Sequence, residues 1–355
     1  MAMEPQAMEK QTRIRIMTDA SVAVVILNWN GKNLLEKFLP GVILSEYPNL
    51  QIVVGDNAST DDSVVFVKAN YPGIRVIEND KNYGFAEGYR KLLEQVEADY
   101  YVLLNSDVEV PADWIAPVIS LMEKDDQIAA AQPKIKWQKD KSKFEYAGAA
   151  GGYLDLHCFP FCRGRLFDTV ENDHGQYNDV KEIFWASGAA LFIKSKCWKE
   201  AGGLDPDFFA HMEEIDLCWR LKNLGYKVMY CPDAEVYHVG GGTLNANNPY
   251  KTYLNFRNNL IIMQKNLPLK DAFFRIFIRF FIDFVALIHF LVQGKVDFAM
   301  AVSKAHFHFF KYFSANAKKR TNRQLNYQEH TGHYSSSIVY AYFIKKIRFF
   351  SGLGI

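Results

Sequence analysis

The sequence predicts an α/β protein: a doubly wound, mostly parallel sheet flanked by helices, with a C-terminal helical appendage that is basic and aromatic. Three observations carry that reading. Apolar, β-branched runs alternate with helix-patterned segments from residue 22 to residue 104, as in a sheet built by crossovers. Each run ends in a polar cluster. Charge also divides the chain. From Lys251 onward 16 Lys and Arg stand against 4 Asp and Glu, a net +12, leaving 25 against 36, a net −11, before it; this tail holds 16 of the 27 phenylalanines. The chain reads as a flexible N-terminal segment (1–20), an acidic body (21–245) and a basic, aromatic helical region (246–355).

In order, Val22–Asn28 (VAVVILN) is a continuous β-branched run, as in a strand buried on both faces. Lys32–Leu39 follows as a helix. Gln51–Asn57 (QIVVGDN) is a second strand, and Ser63–Asn70 a helix behind the capping chemistry of STDD. Ile74–Glu78 is a third strand, Phe85–Val96 a helix and Tyr100–Leu104 a fourth strand. The polar clusters are Asn28-Trp29-Asn30, Asp56-Asn57, Asn79–Asn82 and Asn105-Ser106-Asp107. Asn, Ser and Asp are ordinary turn formers, and one polar strand end is routine. Several together, at the carboxyl edge where open α/β sheets bind ligands, mark a site.

No G-x-G-x-x-G follows the first strand and no G-x-x-x-x-G-K-[ST] occurs, which argues against a dehydrogenase or a P-loop enzyme. A nucleotide bound here is held by side chains and a metal. The five cysteines form no framework, so nothing implies an oxidising compartment. A zinc site at His157, Cys158 and Cys162 would need a fourth ligand, and Cys197, Cys218 and Cys231 fall inside regular elements. The first twenty residues are polar and lack the apolar stretch of a secretory signal; the expectation is a cytoplasmic protein.

The segments VVILNWNG, VVGDNASTDDS, NDKNYGFAEGYR and VLLNSD come in a telling order and spacing. WASGAALFIKSKCWKEAGGLDPDFFAHMEEIDLCWRLKNLGY and AEVYHVGG follow. Together they resemble the family 2 glycosyltransferases of GT-A fold, among them rhamnosyltransferase-like inverting enzymes, over roughly Val22 to Gly242. YLNFRNNL fits a recurrent feature further on. The resemblance implies a metal-dependent inverting transferase. It would move a hexosyl or deoxyhexosyl group from a UDP or dTDP donor to a hydroxyl of a saccharide or lipid-linked saccharide, in cell-surface polysaccharide assembly.

The residue chemistry agrees. A departing diphosphate is stabilised by a hard divalent cation, and Mn²⁺ or Mg²⁺ takes much of its shell from phosphate and water, so one carboxylate suffices. On the resemblance, Asn105-Ser106-Asp107 stands in place of D-x-D, with Ser106 and Asp107 at the donor and Asp107 and His238 on the metal. Asp56 is expected to accept the N3–H of uracil or thymine. Asn28, Asn30, Asn82, Gly84 and Phe85 would border the nucleotide sugar, and Arg90 stands where the family often has Asn. Trp185 and Ser187 would border the acceptor. Glu213-Glu214 stands where Glu-Asp is usual; Glu214 is expected to be the base, with Glu213 its substitute. The bland alternative is that both only complement a helix dipole.

In the tail, Arg275, Arg279 and Asp283 recur every four residues, giving a helix with one polar face and charge-free runs too short to span a bilayer. Such a helix packs on the body or on a partner chain. With KKRTNR and FIKKIRFF it also fits an anionic membrane surface, the favoured reading: peripheral, on the cytoplasmic face. No nucleic-acid recognition motif accompanies the basic residues, so that partner is not expected; an oligomer is left open. The alternatives to an enzyme are a non-catalytic nucleotide-sugar binding module and a membrane-surface scaffold.

Overall fold

The computed structural model describes residues 19–240, 248–320 and 324–355. Most of the N-terminal segment, and residues 321–323 of the basic cluster, lie outside the described residues. The expected alternation appears as β1 (Val22–Asn28), α1 (Lys32–Ile43), β2 (Leu50–Asp56), α2 (Ser63–Asn70), β3 (Arg75–Glu78), α3 (Gly84–Leu93) and β4 (Tyr100–Asn105). β1 pairs in parallel with β2 and β4, and β2 with β3. β1 and β4 are buried almost throughout, which is why they read as unbroken apolar runs. α1 continues past Pro40 to Ile43 and buries Leu39 and Val42.

Beyond β4 come β5 (Val108–Glu109), α4 (Ile115–Glu123), β6 (Ile128–Trp137), β7 (Asp140–Phe144), β8 (Gly152–Asp155), β9 (Pro160–Cys162), β10 (Arg165–Leu166) and β11 (Thr169–Val170). They are followed by β12 (Lys181–Ile183), β13 (Ala190–Lys194), α5 (Ser195–Ala201), α6 (Glu213–Asn223) and β14 (Lys227–His238). Here the sheet becomes mixed. β13 is antiparallel to β4 and β6, while β14 is parallel to β6. The order is β12-β14-β6-β13-β4-β1-β2-β3, with β5 on β14 and β7 on β6. Alternate residues of one strand serve opposite faces. Ala23 and Val25 pack with Tyr89, Leu92 and Trp219, and Val22, Val24 and Ile26 with Leu35, Leu39 and Ile115.

The tail supplies α7 (Pro249–Asn266), α8 (Leu269–Val292), α9 (Val296–Lys311), α10 (Phe313–Lys318) and β15 (His333–Tyr334). β15 joins β8 in a second sheet, β11-β10-β9-β8-β15. The tail is thus woven into the body. Tyr327 donates to the Asp155 carbonyl at 2.6 Å, and the Ile338 and Phe350 amides donate to the carboxylates of Asp155 and Glu171. Phe309, Tyr327, Ile338 and Phe350 share one core with Ala23 and Leu217.

The polar face of α8 turns inward. Arg275 donates to the Leu156 carbonyl, while Arg279 reaches the His157 carbonyl and Asn259 and pairs with Asp283 at 3.1 Å. Phe273, Phe274, Phe277, Phe281 and Phe284 face outward and are all more than half exposed. Among the described residues, no helix is long and apolar enough to cross a membrane.

Candidate active site

Parallel pairing brings the polar strand ends to one edge. Asn28 is the register partner of Asp56, and Asn105 that of Leu27. Strand order reverses between β1 and β4, so a crevice opens between their carboxyl ends. Asp56 is buried there; one carboxylate oxygen accepts from the Asn28 amide at 3.2 Å and the other from the Ser59 N–H at 2.8 Å. A carboxylate has further lone pairs to offer a ligand. Asn30, at φ +51°, folds its side-chain oxygen onto the Thr60 N–H at 2.7 Å.

Asn57, named from sequence only as part of a polar strand end, ties the next cluster together. Its amide donates to Asn82 Oδ1 and to the Gly84 carbonyl, and its oxygen accepts from Asn79 and from the Tyr83 N–H. Gly84 starts α3 at φ +73°, where a Cβ would lie 2.5 Å from the Phe209 ring. Arg90 forks onto Glu87 at 2.8 and 3.3 Å, so its charge is already partnered.

Asp107 and His238 meet because β5 pairs with the end of β14, His238 opposite Val108. His238 Nε2 lies 3.1 Å from Asp107 Oδ1, and its Nδ1 lies 3.4 Å from Glu145 Oε2. Burial disfavours the imidazolium, yet Glu145 and Asp107 outweigh it and carry His238 up to about 10. Glu145 has no motif around it, and only the folded chain reveals it. Among the described residues, no three His, Cys, Asp or Glu side chains form a metal site by themselves. The set nevertheless suits a divalent ion completed by diphosphate and water. A carboxylate and a histidine stand side by side, a cation at Nε2 would displace the proton that the two carboxylates otherwise keep on the ring, and the second carboxylate behind the ring orients it.

The two glutamates open α6. The loop before them is strained: Phe209, His211 and Met212 have φ of +64°, +67° and +74°. Such strain collects at functional sites where the surroundings enforce it. Here α7 does so. Asn258 donates to the carbonyls of Phe208, Ala210 and His211, and Arg257 to those of Asp207 and Phe208. The Phe209 carbonyl in turn accepts the Phe85 and Ala86 amides, satisfying the free donors that begin α3. YLNFRNNL is therefore the brace of this loop.

Burial raises Glu213 well above the ordinary carboxylate range, and the neighbouring Glu214 charge raises it further. Burial raises Glu214 as well, opposed by backbone N–H groups, to about 7. One oxygen of each lacks a hydrogen-bond partner among the described residues. Gly188 of WASG sits directly opposite: a Cβ there would be 3.3 Å from the Phe85 ring and 3.9 Å from Glu214 Cβ. The adjoining Ala189 carbonyl accepts the Asn105 amide, so Glu214 borders the β4 end of the crevice. Trp185 and Ser187 are buried. Trp185 donates to the Tyr153 carbonyl and Ser187 to that of Ala147, so their polar atoms are engaged within the fold.

Residues 19–252 match the family described as "Glycosyltransferase like family 2". The chain belongs to that family. The transferase is 24% identical over 237 residues to N-acetylglucosaminyl-diphospho-decaprenol L-rhamnosyltransferase of Mycobacterium tuberculosis (strain CDC 1551 / Oshkosh), covering 62% of this chain and 76% of the relative. It is 22% identical over 226 residues to rhamnosyltransferase WbbL of Escherichia coli (strain K12), covering 61% and 83%. It resembles the crystal structure of GalNAc-T7 with UDP, GalNAc and Mn²⁺, with a TM-score of 0.54 and 15% identity, over 75% of this chain and 57% of that one. The fold is GT-A, and the protein is a glycosyltransferase of nucleotide-sugar donors.

Proposed function

We propose that the transferase moves a hexosyl or deoxyhexosyl group from a UDP or dTDP sugar, with inversion, to a hydroxyl of a lipid-linked saccharide. It would act at an anionic membrane surface in cell-surface polysaccharide assembly. The observation that carries this reading is Glu214, a half-buried carboxylate raised to about 7 beside Gly188 and the end of β4. Such a group is poised to accept a proton near neutral pH. Glu214 takes the acceptor proton as the oxygen attacks the anomeric carbon, while burial and the Glu214 charge hold Glu213 above the ordinary carboxylate range. Asp56, Asn28, Asn30, Asn82, Gly84, Phe85 and Ser106 hold the nucleotide sugar. Asp107 and His238, backed by Glu145, would hold Mn²⁺ or Mg²⁺. Bound there, the cation would neutralise charge on the departing diphosphate. The rhamnosyltransferase relatives favour a deoxyhexose, and the Mycobacterium tuberculosis one a lipid diphosphate acceptor.

The test is a thermal-shift screen of nucleotide sugars, since bound ligand raises apparent stability, followed by donor hydrolysis with and without Mn²⁺. Stabilisation and Mn²⁺-dependent hydrolysis of a UDP or dTDP sugar support the reading. Binding without any turnover would instead identify a non-catalytic nucleotide-sugar module.

A further inference from the structure

Between the strained base loop and the outward phenylalanines lies a cluster of cations with no role in the chemistry above. Tyr253 of α7 is buried, and its hydroxyl is 2.7 Å from His308 Nδ1 and 3.2 Å from Arg257. The Arg257 guanidinium and the Lys304 ammonium stand 5.3 and 5.5 Å from its ring centre. Lys304, His308 and Lys311 are spaced four and three residues apart and share one face of α9. Burial holds His308 below its ordinary value, and the positive charges of Lys304, Lys311 and Arg257 push the same way. Among the described residues, Arg257, Lys304 and Lys311 have no carboxylate partner. Arg257 spends its hydrogen bonds on Asn258, Tyr253 and two carbonyls. The patch is therefore an uncompensated positive field on a rigid aromatic base.

Its neighbours on either side differ in kind. Toward the base, Tyr250 stacks on Tyr253 at 5.7 Å and lies 6.4 Å from the Phe209 ring. Toward the outside, Phe307 and Phe310 are exposed, and Phe310 stacks on Phe280 of α8 at 5.1 Å, beside the open face of Phe277 and Phe281. The order along the surface is base carboxylate, aromatic rings, cations, hydrocarbon-like face. A molecule complementary to it has a sugar hydroxyl, then phosphate, then a long apolar chain.

We propose that Lys304 and Lys311, backed by the charge of Arg257 and resting on the Tyr253 ring, seat the phosphate of a lipid-linked acceptor whose hydrocarbon lies along the phenylalanine face of α8 and α9. This rests on the transferase reading and names the acceptor's chemical class. A bilayer headgroup offers the same phosphate chemistry but has no need of a seat braced against the base loop by Arg257.

The test uses the full chain with geranylgeranyl diphosphate as a sugar-free probe, and inorganic pyrophosphate and phosphatidylglycerol vesicles in parallel. Wild type is compared with Lys304→Gln/Lys311→Gln, two exposed positions; affinity for UDP or dTDP with Mn²⁺ reports an intact fold and donor site. The expected result is that the double substitution weakens geranylgeranyl diphosphate about tenfold or more, the scale of one lost charged hydrogen bond, while nucleotide affinity is unchanged. Equal affinity of both proteins for that probe overturns the proposal. So does pyrophosphate binding as tightly as the lipid, which makes it a free-phosphate site. Each lysine is also worth about 1 kcal/mol to an anionic surface, so some vesicle binding is lost in any case; a loss for vesicles larger than that for the probe overturns the proposal in favour of bilayer headgroups. Binding of the probe is read without donor, so it upholds the seat even if no sugar is transferred; absent turnover then counts against the transferase reading alone.

Discussion

Glu213 and Glu214 are adjacent, yet their surroundings set them different tasks. Glu213 is buried and Glu214 half-buried at the start of α6, and Glu213 carries the additional repulsion of its neighbour, which holds it well above the ordinary carboxylate range. Glu214, at about 7, sits near the midpoint at neutral pH. If Glu214 is the base, kcat/KM rises with pH through about 7, because only the ionised form accepts the hydroxyl proton. Glu214→Gln then lowers the transfer rate at least about a hundredfold, flattens that limb of the profile and leaves donor affinity near normal. Glu213→Gln keeps the size of a side chain that does not take the proton and costs little. The reverse pattern in steady-state kinetics would move the base by one residue, and no effect in either would leave the pair as dipole partners. At the other end of the reaction, Asp107→Ala is expected to abolish Mn²⁺-dependent UDP or dTDP binding in calorimetry while the domain stays folded. Glu145→Gln should weaken metal binding by about tenfold to a hundredfold, the usual effect of losing a carboxylate that orients a histidine ligand. Asp107 was visible in sequence as a polar strand end. Glu145 was not, because its role comes from a contact with His238 across the sheet rather than from its neighbours in the chain.

At the scale of elements, α7 decides whether the base loop keeps its strained shape. Besides Asn258 and Arg257, it carries Lys265, buried between Asp205 at 2.6 Å and Asp216 at 2.8 Å. Burial opposes the charge of Asp205, but Lys265 and Lys319 outweigh it and hold it at about 2. Lys265→Met would take one cation from each of two buried carboxylates, leaving Asp205 to Lys319 and Asp216 to Arg220, so we expect a loss of about 1.5–3 kcal/mol, read as a lower urea midpoint. The sign with pH follows from the depressed Asp205. Its stabilisation is present above the ordinary value of 3.8 and is lost as pH falls through about 2. Wild type should therefore lose stability more steeply than Lys265→Met over that acid range. The elements themselves were largely legible. β1 and β4 follow from continuous apolar runs, and α2 starts behind STDD as expected, although Asp62 at its N-cap makes no capping bond and Asp61 accepts the Ser63 N–H instead. The antiparallel β13 and the second sheet were not, because short strands such as β10 and β11 have no periodicity to read and are fixed by their partners. The loop at Phe209, His211 and Met212 carries no glycine to announce its positive φ values, so its strain too was invisible until α7 was packed against it.

For the whole molecule, composition located the tail but could not say which way it faced. The four-residue spacing of Arg275, Arg279 and Asp283 suggested a face toward water. In the fold these three are buried against the body and the phenylalanines are left outside. Because β15 and Phe350 complete the body's second sheet and core, a chain ending at Asn266 should aggregate or unfold in circular dichroism, not persist as a free donor domain. A contiguous exposed patch of this kind calls for a covering partner, and the tail's net +12 favours an anionic bilayer. Each phenylalanine moved from water into the interface contributes about 1.5–3 kcal/mol. Each Lys or Arg near an anionic surface adds about 1 kcal/mol, fading within a Debye length. Full-length protein should therefore co-sediment with phosphatidylglycerol vesicles, bind neutral vesicles weakly and release partly in high salt. Phe277→Ser/Phe281→Ser removes two exposed rings without touching Arg275, Arg279 or Asp283. It should lower vesicle binding about a hundredfold or more by the same area argument, leave nucleotide affinity intact and raise solubility. If the wild type ignores vesicles but sediments as a concentration-dependent dimer that the two serines dissolve, the face is covered by a second copy of the chain and the bilayer assignment fails.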